Sequence, residues 1–137
     1  MYDNGRKKAL MVVGLTLLLS GCNGGDGYEA ISGKVTFRGT PLKQGSIQFF
    51  SLGEQSIPCA GAMIRDGVYQ VPKEHGLKPG TYLVKISSTE RDPNVKGGST
   101  LNPGLVRERI PASYNKESTL KVEIVTGGRR QFDFDLN

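Results

Sequence analysis

The sequence predicts an all-β domain, an antiparallel sandwich of about seven short strands, behind a secretory leader. Two observations predict the sandwich. Apolar and polar residues alternate in several short stretches from Glu29 onward, and Gly, Pro or Asp-Gly separates these stretches. No stretch after the leader has the period of about 3.6 residues that marks an amphipathic helix. The third observation is a charged and then apolar N-terminus, and it predicts the leader.

Residues 1–21 have the three-part layout of a secretory signal peptide. Three cations, Arg6, Lys7 and Lys8, precede an apolar run from Ala9 to Leu19. That run is shorter than the roughly 20 residues that a membrane-spanning helix needs. After it the composition changes at once to Gly-rich and polar. We therefore expect residues 1–21 to be removed as a signal peptide.

The tetrapeptide Leu19-Ser20-Gly21-Cys22 resembles the lipobox of bacterial lipoproteins. In those proteins the cysteine is acylated and becomes the first residue of the mature chain. The resemblance implies a lipidated Cys22, a flexible tether over residues 22–28 and a domain over residues 29–137. The protein would then be held at a membrane of the cell envelope and exposed to the periplasm or the cell surface. The alternative is an ordinary signal peptide followed by a chance cysteine.

Charge and cysteine content exclude several classes of protein. Without residues 1–21 the chain keeps 15 of its 18 Lys and Arg and 12 of its 13 Asp and Glu, a net charge of +3. No basic cluster with interleaved aromatic residues is present, so nothing supports nucleic-acid binding. The chain has two cysteines. If Cys22 carries lipid, Cys59 has no partner within the chain, and a disulfide framework is excluded.

Alternation predicts the strands in order along the chain. In the first, Ile31, Val35 and Phe37 share the face that we expect to be buried. Gly and Pro then break the pattern, and the next stretch is interpreted as the returning strand. The stretch around Gly61 is the weakest, with Gly61 expected at a close backbone approach. The predicted strands are residues 31–37, 46–50, 59–64, 68–71, 80–87, 120–124 and 132–136.

Two turns are predicted to form hairpins. Asp66-Gly67 supplies a tight turn between the third and fourth strands. Residues 126–129 are predicted to join the last two strands into a closing hairpin. In that hairpin the apolar side chains, Leu120, Val122, Ile124, Phe132, Phe134 and Leu136, would face the core. Asp133 and Asp135 would share the opposite face, where they could hold a cation or act as an acid pair. The preferred interpretation pairs them across the hairpin with Lys121.

Between Thr89 and Glu117 no period survives, because Pro and Gly recur throughout. A loop of this length is usually functional or disordered. Our hypothesis is that residues 89–109 are the mobile, partner-facing part, while residues 110–115 dock back on the sandwich. A disordered insertion without a role is the alternative. The charged residues that would face the partner are Arg91, Asp92, Lys96, Arg107, Glu108 and Arg109.

Several stretches of the domain resemble carboxypeptidase regulatory-like, or transthyretin-like, domains. The opening is Gly33-Lys34-Val35-Thr36-Phe37 followed by a Gly-Thr-Pro-Leu turn, and the middle is Asp66-Gly67-Val68-Tyr69 with a later Pro-Gly and a Tyr-containing strand. The end, from Ile110-Pro111 to Phe132-Asp133-Phe134-Asp135-Leu136, is similar to small bacterial lipoproteins that carry this domain alone. The resemblance implies a transthyretin-like sandwich, a largely non-catalytic family and no catalytic residue.

The chemistry-bearing residues favour a binding or structural role over an enzyme. A dyad of Cys59 with His75, the single histidine, would need contact and an orienting third group. No spacing of ligands suits a metal, and no Gly-rich phosphate cradle is present, so no cofactor is expected. We expect a lipid-anchored envelope module that binds an envelope protein or serves as a structural component. Glycan or small-ligand binding ranks below it, because the chain has no Trp.

Overall fold

The structure is a computed structural model that describes residues 27–53, 56–91 and 106–137. The predicted signal peptide and Cys22 lie outside the described residues. The described strands are β1 (Ile31–Phe37), β2 (Thr40–Pro41), β3 (Gln44–Ser51), β4 (Pro58–Arg65), β5 (Val68–Val71), β6 (Gly80–Ser87), β7 (Thr89–Arg91), β8 (Val106–Glu108), β9 (Lys121–Ile124) and β10 (Phe134–Leu136). Short 3₁₀ turns cover Lys73–His75 and Ala112–Tyr114.

Seven strands form one curled sheet in the order β10-β1-β5-β4-β3-β6-β9, with β2 beside β1. All neighbours in it are antiparallel except β1 and β10. Strands β7 and β8 form a separate antiparallel pair. The predicted all-β class with about seven main strands is therefore confirmed.

The core is formed by the side chains on one face of each main strand. In β1, Ile31, Val35 and Phe37 are buried while Lys34 is exposed, as the alternation predicts. In β6, Tyr82 and its alternate neighbours are likewise buried. The largest fully buried side chains are Tyr69, Phe49, Ile31, Ile47, Ile64, Leu77, Ile86 and Leu136.

Two tight turns have left-handed backbone at both central residues. Arg38 and Gly39 have φ values of 50° and 75°, and Asp66 and Gly67 have values of 49° and 78°. Left-handed pairs of this kind fit the right-handed twist of the strands that they join. The predicted Asp66-Gly67 turn is confirmed, since it joins β4 to β5. Arg38 is the unusual member, because a long side chain in this region costs about 1–2 kcal/mol relative to glycine.

Strand β3 does not return along β1, so that part of the prediction was wrong. Only the two residues of β2 fold back on β1. Strand β3 pairs instead with β4 on one side and β6 on the other. The prediction for Gly61 is confirmed: a Cβ there would lie 3.0 Å from the carbonyl oxygen of Ile47 on β3.

The closing hairpin was also predicted wrongly, although the faces of its strands were right. Strand β9 pairs with β6, and β10 pairs in parallel with β1, at the other end of the sheet. The Phe132 amide donates to the Ser32 carbonyl at 2.9 Å, which begins the alignment with β1. Val122, Ile124 and Leu136 are buried, as predicted. Leu120, Phe132 and Phe134 are half-buried and pack against the same core.

The observed pairing of β10 with β1 also changes the neighbours of Asp133 and Asp135. They lie beside β1, so the predicted pairing with Lys121 on β9 was wrong. The Lys34 amide donates to Oδ1 of Asp133 at 2.8 Å, and the Thr36 hydroxyl donates to Oδ1 of Asp135. The Lys34 amide, with a smaller contribution from the Gln131 side chain, holds the pKa of Asp133 below its ordinary value. Both carboxylates thus fix the register of the parallel pair.

The directions of the strands show at which of the two ends of the sheet each connection lies. Residues 27–30, 72–79 and 125–130 meet at the end where β1 begins, which we call the tether end. Glu29 links them, since its amide donates to the Leu77 carbonyl at 2.8 Å and its carboxylate pairs with Arg130 at 2.7 Å. The β3–β4 connection lies at the same end, because Ser51 is opposite Tyr82. The far end of β1, about 20 Å away, we call the groove end.

Ionisation of Tyr69 limits the stability of the domain at alkaline pH. The Tyr69 hydroxyl donates to the Phe132 carbonyl at 2.8 Å. Burial, with a further contribution from the Asp133 carboxylate, raises the pKa of Tyr69 well above its ordinary value of 10.0. A raised pKa contributes stability that is complete below the unfolded value and is lost as pH rises above it. We expect the free energy of unfolding to fall by about 1.4 kcal/mol per pH unit above about pH 10 from this residue.

Urea titrations across that pH range measure the slope. Tyr69→Phe keeps the ring and removes the ionisable group, so the variant should lose the part of the alkaline slope that Tyr69 contributes and keep the part that comes from the raised pKa of Tyr82. It should also be less stable by about 1 kcal/mol at neutral pH, because the Phe132 carbonyl loses its donor. An identical slope in both proteins would contradict the assignment.

Candidate functional site

A groove of about 460 Å³ opens at the groove end of the sandwich. Three connections form it: the turn from β1 through β2, the turn from β4 to β5, and the segment that follows β8. It is lined by Phe37, Thr40, Pro41, Leu42, Lys43, Asp66 and Arg109. The site therefore combines residues that are far apart in the sequence.

The floor of the groove is apolar and fixed. Phe37 ends β1 and Leu42 follows β2, and both side chains belong to the buried core. The Leu42 amide donates to the Val35 carbonyl at 3.0 Å, and the Gly67 amide donates to the Leu42 carbonyl at 2.8 Å. These two bonds hold the turns against each other, so the floor is formed before any ligand arrives.

The rim of the groove is charged. Lys43 and Asp66 contribute opposite charges, and the Asp66 amide donates to the Lys43 carbonyl at 2.9 Å. Arg109 closes the third side, with its Nε 3.3 Å from the carboxylate of Glu90. Both partners of that ion pair are well exposed, so it contributes little to stability and Arg109 can exchange Glu90 for a ligand. The rim thus offers ionic contacts around an apolar floor.

Arg38 stands beside the groove in the strained backbone described above. Its guanidinium lies over the Phe37 ring, 5.1 Å from the ring centroid. A cation at this distance is attracted to the face of the ring. One face of the aromatic residue in the groove is therefore already occupied by an arginine.

The base of the β7–β8 pair is tied to the sheet. One carboxylate oxygen of Glu108 accepts from the Ser88 amide at 2.8 Å and from the Ile110 amide at 2.9 Å. Ser88 is buried, and its hydroxyl donates to the Gln44 carbonyl at 2.6 Å. The Arg109 amide completes the junction by donating to the Ser88 carbonyl at 2.8 Å. Glu108 is thus a structural residue of the junction.

The segment predicted to be one long irregular loop has regular structure at both ends. Thr89–Arg91 and Val106–Glu108 pair as β7 and β8, which corrects the prediction that no strand lies here. The predicted docking of residues 110–115 is confirmed. Ile110 and Asn115 are buried, and the Asn115 side-chain amide donates to the Ile110 carbonyl at 3.1 Å.

The structure places only some of the predicted site residues at the groove. Arg109 lines the groove, Arg107 is exposed on β8, and Arg91 lies on β7. Asp92 and Lys96, like Cys22, lie outside the described residues. The groove residues that the sequence prediction missed come from the two turns, residues 37–43 and Asp66. Their turn signals were recognised, but only the sheet order shows that both turns lie beside the segment after β8.

Cys59 lies near the start of β4, and His75 ends the 3₁₀ turn over Lys73–His75. Cys59 is exposed, and its thiol donates to the Ile57 carbonyl at 3.4 Å. It lines a cavity of about 300 Å³ with Tyr82 and neighbouring residues, and His75 is not part of that lining. Burial raises the pKa of Tyr82, and Cys59 adds to the effect. Among the described residues no three His, Cys, Asp or Glu side chains form a group that could hold a metal ion.

No protein-family model, curated protein or solved structure matches the chain. Within the described ranges, no helix has the length and apolar character needed to cross a bilayer.

Proposed function

We propose that the chain is a lipid-anchored, non-catalytic interaction module of the cell envelope, related to carboxypeptidase regulatory-like domains, and that it binds a protein partner in the groove. One observation carries the proposal. The tether enters the domain at the start of β1, next to Gly27, and the groove lies at the other end of that strand. An anchor at Cys22 would therefore leave the groove on the side of the domain that is remote from the tether.

The composition of the groove favours a protein partner. Its floor of Phe37 and Leu42 suits an apolar side chain, and its rim of Lys43 and Arg109 suits carboxylates or backbone carbonyls. Apolar contact surrounded by ionic contacts is the usual anatomy of a protein interface. The short β7–β8 pair extends the contact beyond the groove itself.

A small ligand is the second candidate, because a volume of about 460 Å³ lies within the range of small-molecule sites. A glycan fits less well. Sugars are held against a free aromatic face, and the guanidinium of Arg38 already covers one face of Phe37. The groove therefore favours a ligand with an apolar group and a negative charge over a neutral sugar.

The anchoring part is tested by Cys22→Ala. Because the acylated cysteine would be the attachment point, the variant should move from the membrane fraction to the soluble fraction, while the unaltered chain stays with the membrane and incorporates labelled fatty acid. Mass spectrometry of the purified chain then shows whether residues 1–21 are absent and Cys22 is modified. An unaltered chain found in the soluble fraction would refute the anchor.

The groove is tested by Lys43→Glu and Arg109→Glu, with Lys121→Glu as the matched control. All three reverse an exposed charge, and Lys121 lies on β9 away from the groove. Capture of a partner from solubilised envelopes should fall about tenfold or more for the groove variants and stay unchanged for the control. Unfolding curves should show that all three remain folded. Equal capture by all three variants would place the interface elsewhere.

A further inference from the structure

Exposed apolar side chains are concentrated at the tether end. Of the seven large apolar side chains that are well exposed in the described residues, four lie in connections at this end and three elsewhere. The four come from three separate connections: Tyr28, Leu52, Ile57 and Val125. Their exposed fractions are 37%, 48%, 55% and 54%. No single loop therefore accounts for the concentration.

Cations accompany these apolar residues. The Lys78 ammonium lies 5.0 Å from the centroid of the Tyr28 ring, and Arg129 stands over the Phe132 ring at 5.5 Å. Lys73 and Arg130 line one cavity of about 450 Å³ together with Gly27. The described carboxylates in the connections of this end are Glu29, which is paired with Arg130, and Glu74. Glu123, opposite Thr81 at the start of β6, adds an exposed carboxylate to the same end. Asp26 and Glu54 add two more in the sequence, so apolar contact rather than net charge dominates the surface.

The length of chain between Cys22 and Gly27 limits how far the tether end can lie from a membrane that holds an acylated Cys22. Five residue steps span at most about 18 Å when fully extended. A domain held by an acyl chain on Cys22 is thus always within about 18 Å of the lipid headgroups, and the connections around Gly27 are its nearest surface. Exposed apolar residues flanked by Tyr, Lys and Arg match the composition that proteins present to the membrane–water boundary.

We propose that the tether end lies directly on the lipid surface that carries the anchor. Leu52, Ile57 and Val125 enter the headgroup layer, while Lys78 and Arg129 contact lipid phosphates from its rim. This inference rests on the lipidation of Cys22 in the proposed function and adds a second, non-covalent contact. It fixes the orientation of the domain, with β1 directed away from the membrane and the groove about 20 Å above it.

Cys59 provides a native reporter for the test. It is exposed at the tether end, and acylation leaves it as the free thiol of the chain. The lipidated chain is labelled there with an environment-sensitive fluorophore and placed in phosphatidylcholine vesicles that contain a fraction of headgroup-quencher lipid. The reference is the chain with Cys59→Ser and Val106→Cys, labelled on β8 at the groove end. Quenching should be several-fold stronger for the probe on Cys59 than for the probe at position 106.

Val125→Glu and Val68→Glu form a matched pair of variants. Both replace a valine of nearly equal exposure, 54% and 53%, but Val68 lies on β5 outside the tether end. Val125→Glu should lower the quenching of the Cys59 probe several-fold, and Val68→Glu should leave it unchanged. Unfolding curves of both variants exclude a general loss of structure.

Three outcomes would overturn the inference. Equal quenching at both probe positions would show that the domain has no fixed orientation. Absence of quenching at Cys59 in a chain that floats with the vesicles would show that the lipid anchors without the second contact. Energy transfer between copies labelled on Cys59 would show that a second copy covers this end instead. A chain that does not float with vesicles and is unmodified at Cys22 refutes the anchor itself, which the mass of the protein distinguishes.

Discussion

Replacing Gly33 with Ala is expected to destabilise the domain by more than about 3 kcal/mol, the upper end of the range for overpacked cores. A Cβ at this position would lie 1.8 Å from the carbonyl oxygen of Phe132 and 2.8 Å from Cε1 of Tyr69. Neither neighbour can withdraw easily. The Phe132 amide is bonded to Ser32, and the Tyr69 hydroxyl is bonded to the same Phe132 carbonyl. The midpoint of urea unfolding measures the effect.

Gly39→Ala is the matched control for this prediction. Gly39 has a φ of 75°, but nothing lies within 4 Å of a Cβ built there. Its substitution should therefore cost only the backbone preference, about 1–2 kcal/mol. If both variants lost the same stability, the close approach of residues 132–133 to β1 would not be the reason for glycine at position 33.

Phe49→Ala is expected to cost about 3–5 kcal/mol, a large share of the stability of a domain of this size. Phe49 is fully buried on β3, and its ring centroid lies 6.2 Å from that of Tyr69. Because β3 pairs with strands on both sides, the surrounding backbone cannot collapse into the cavity. Equilibrium unfolding in urea measures the difference.

The next residue supplies the control. Phe50 points to the other face of the same strand and is half-buried, with the Lys85 ammonium 4.6 Å from its ring centroid. Phe50→Ala removes this contact and part of the apolar surface, which should cost about 1 kcal/mol. Equal losses for the two substitutions would mean that the inner and outer faces of β3 had been exchanged.

Alternation predicted the strands and their faces because burial of one face depends only on neighbours along the chain. It could not predict which strands would pair. For the stretch around Phe134, pairing with β9 and pairing with β1 bury the same face, so the pattern does not distinguish them. The deciding interactions are long-range: the carboxylate of Asp133 accepts from Lys34, and the Phe132 amide donates to Ser32.

The candidate site, like the fold, was predicted from the sequence only where the signals are local. Arg109 was identified because charge and a broken period mark a binding loop, and these are local signals. Phe37, Lys43 and Asp66 escaped notice because each has an ordinary local explanation, as the end of a strand or part of a turn. Only the order of the strands brings both turns to the segment after β8.

The parallel pairing of β1 with β10 has a consequence for folding during synthesis. The partners are 99 residues apart, as Lys34 and Asp133 are. At translation rates of about 5–20 residues per second, β1 waits roughly 5–20 s for its neighbour to be made. During that interval one edge of β1 remains open, and Val35 has no cover from β10. The sheet can therefore be completed only late in synthesis, when the C-terminal residues that form β10 have been made.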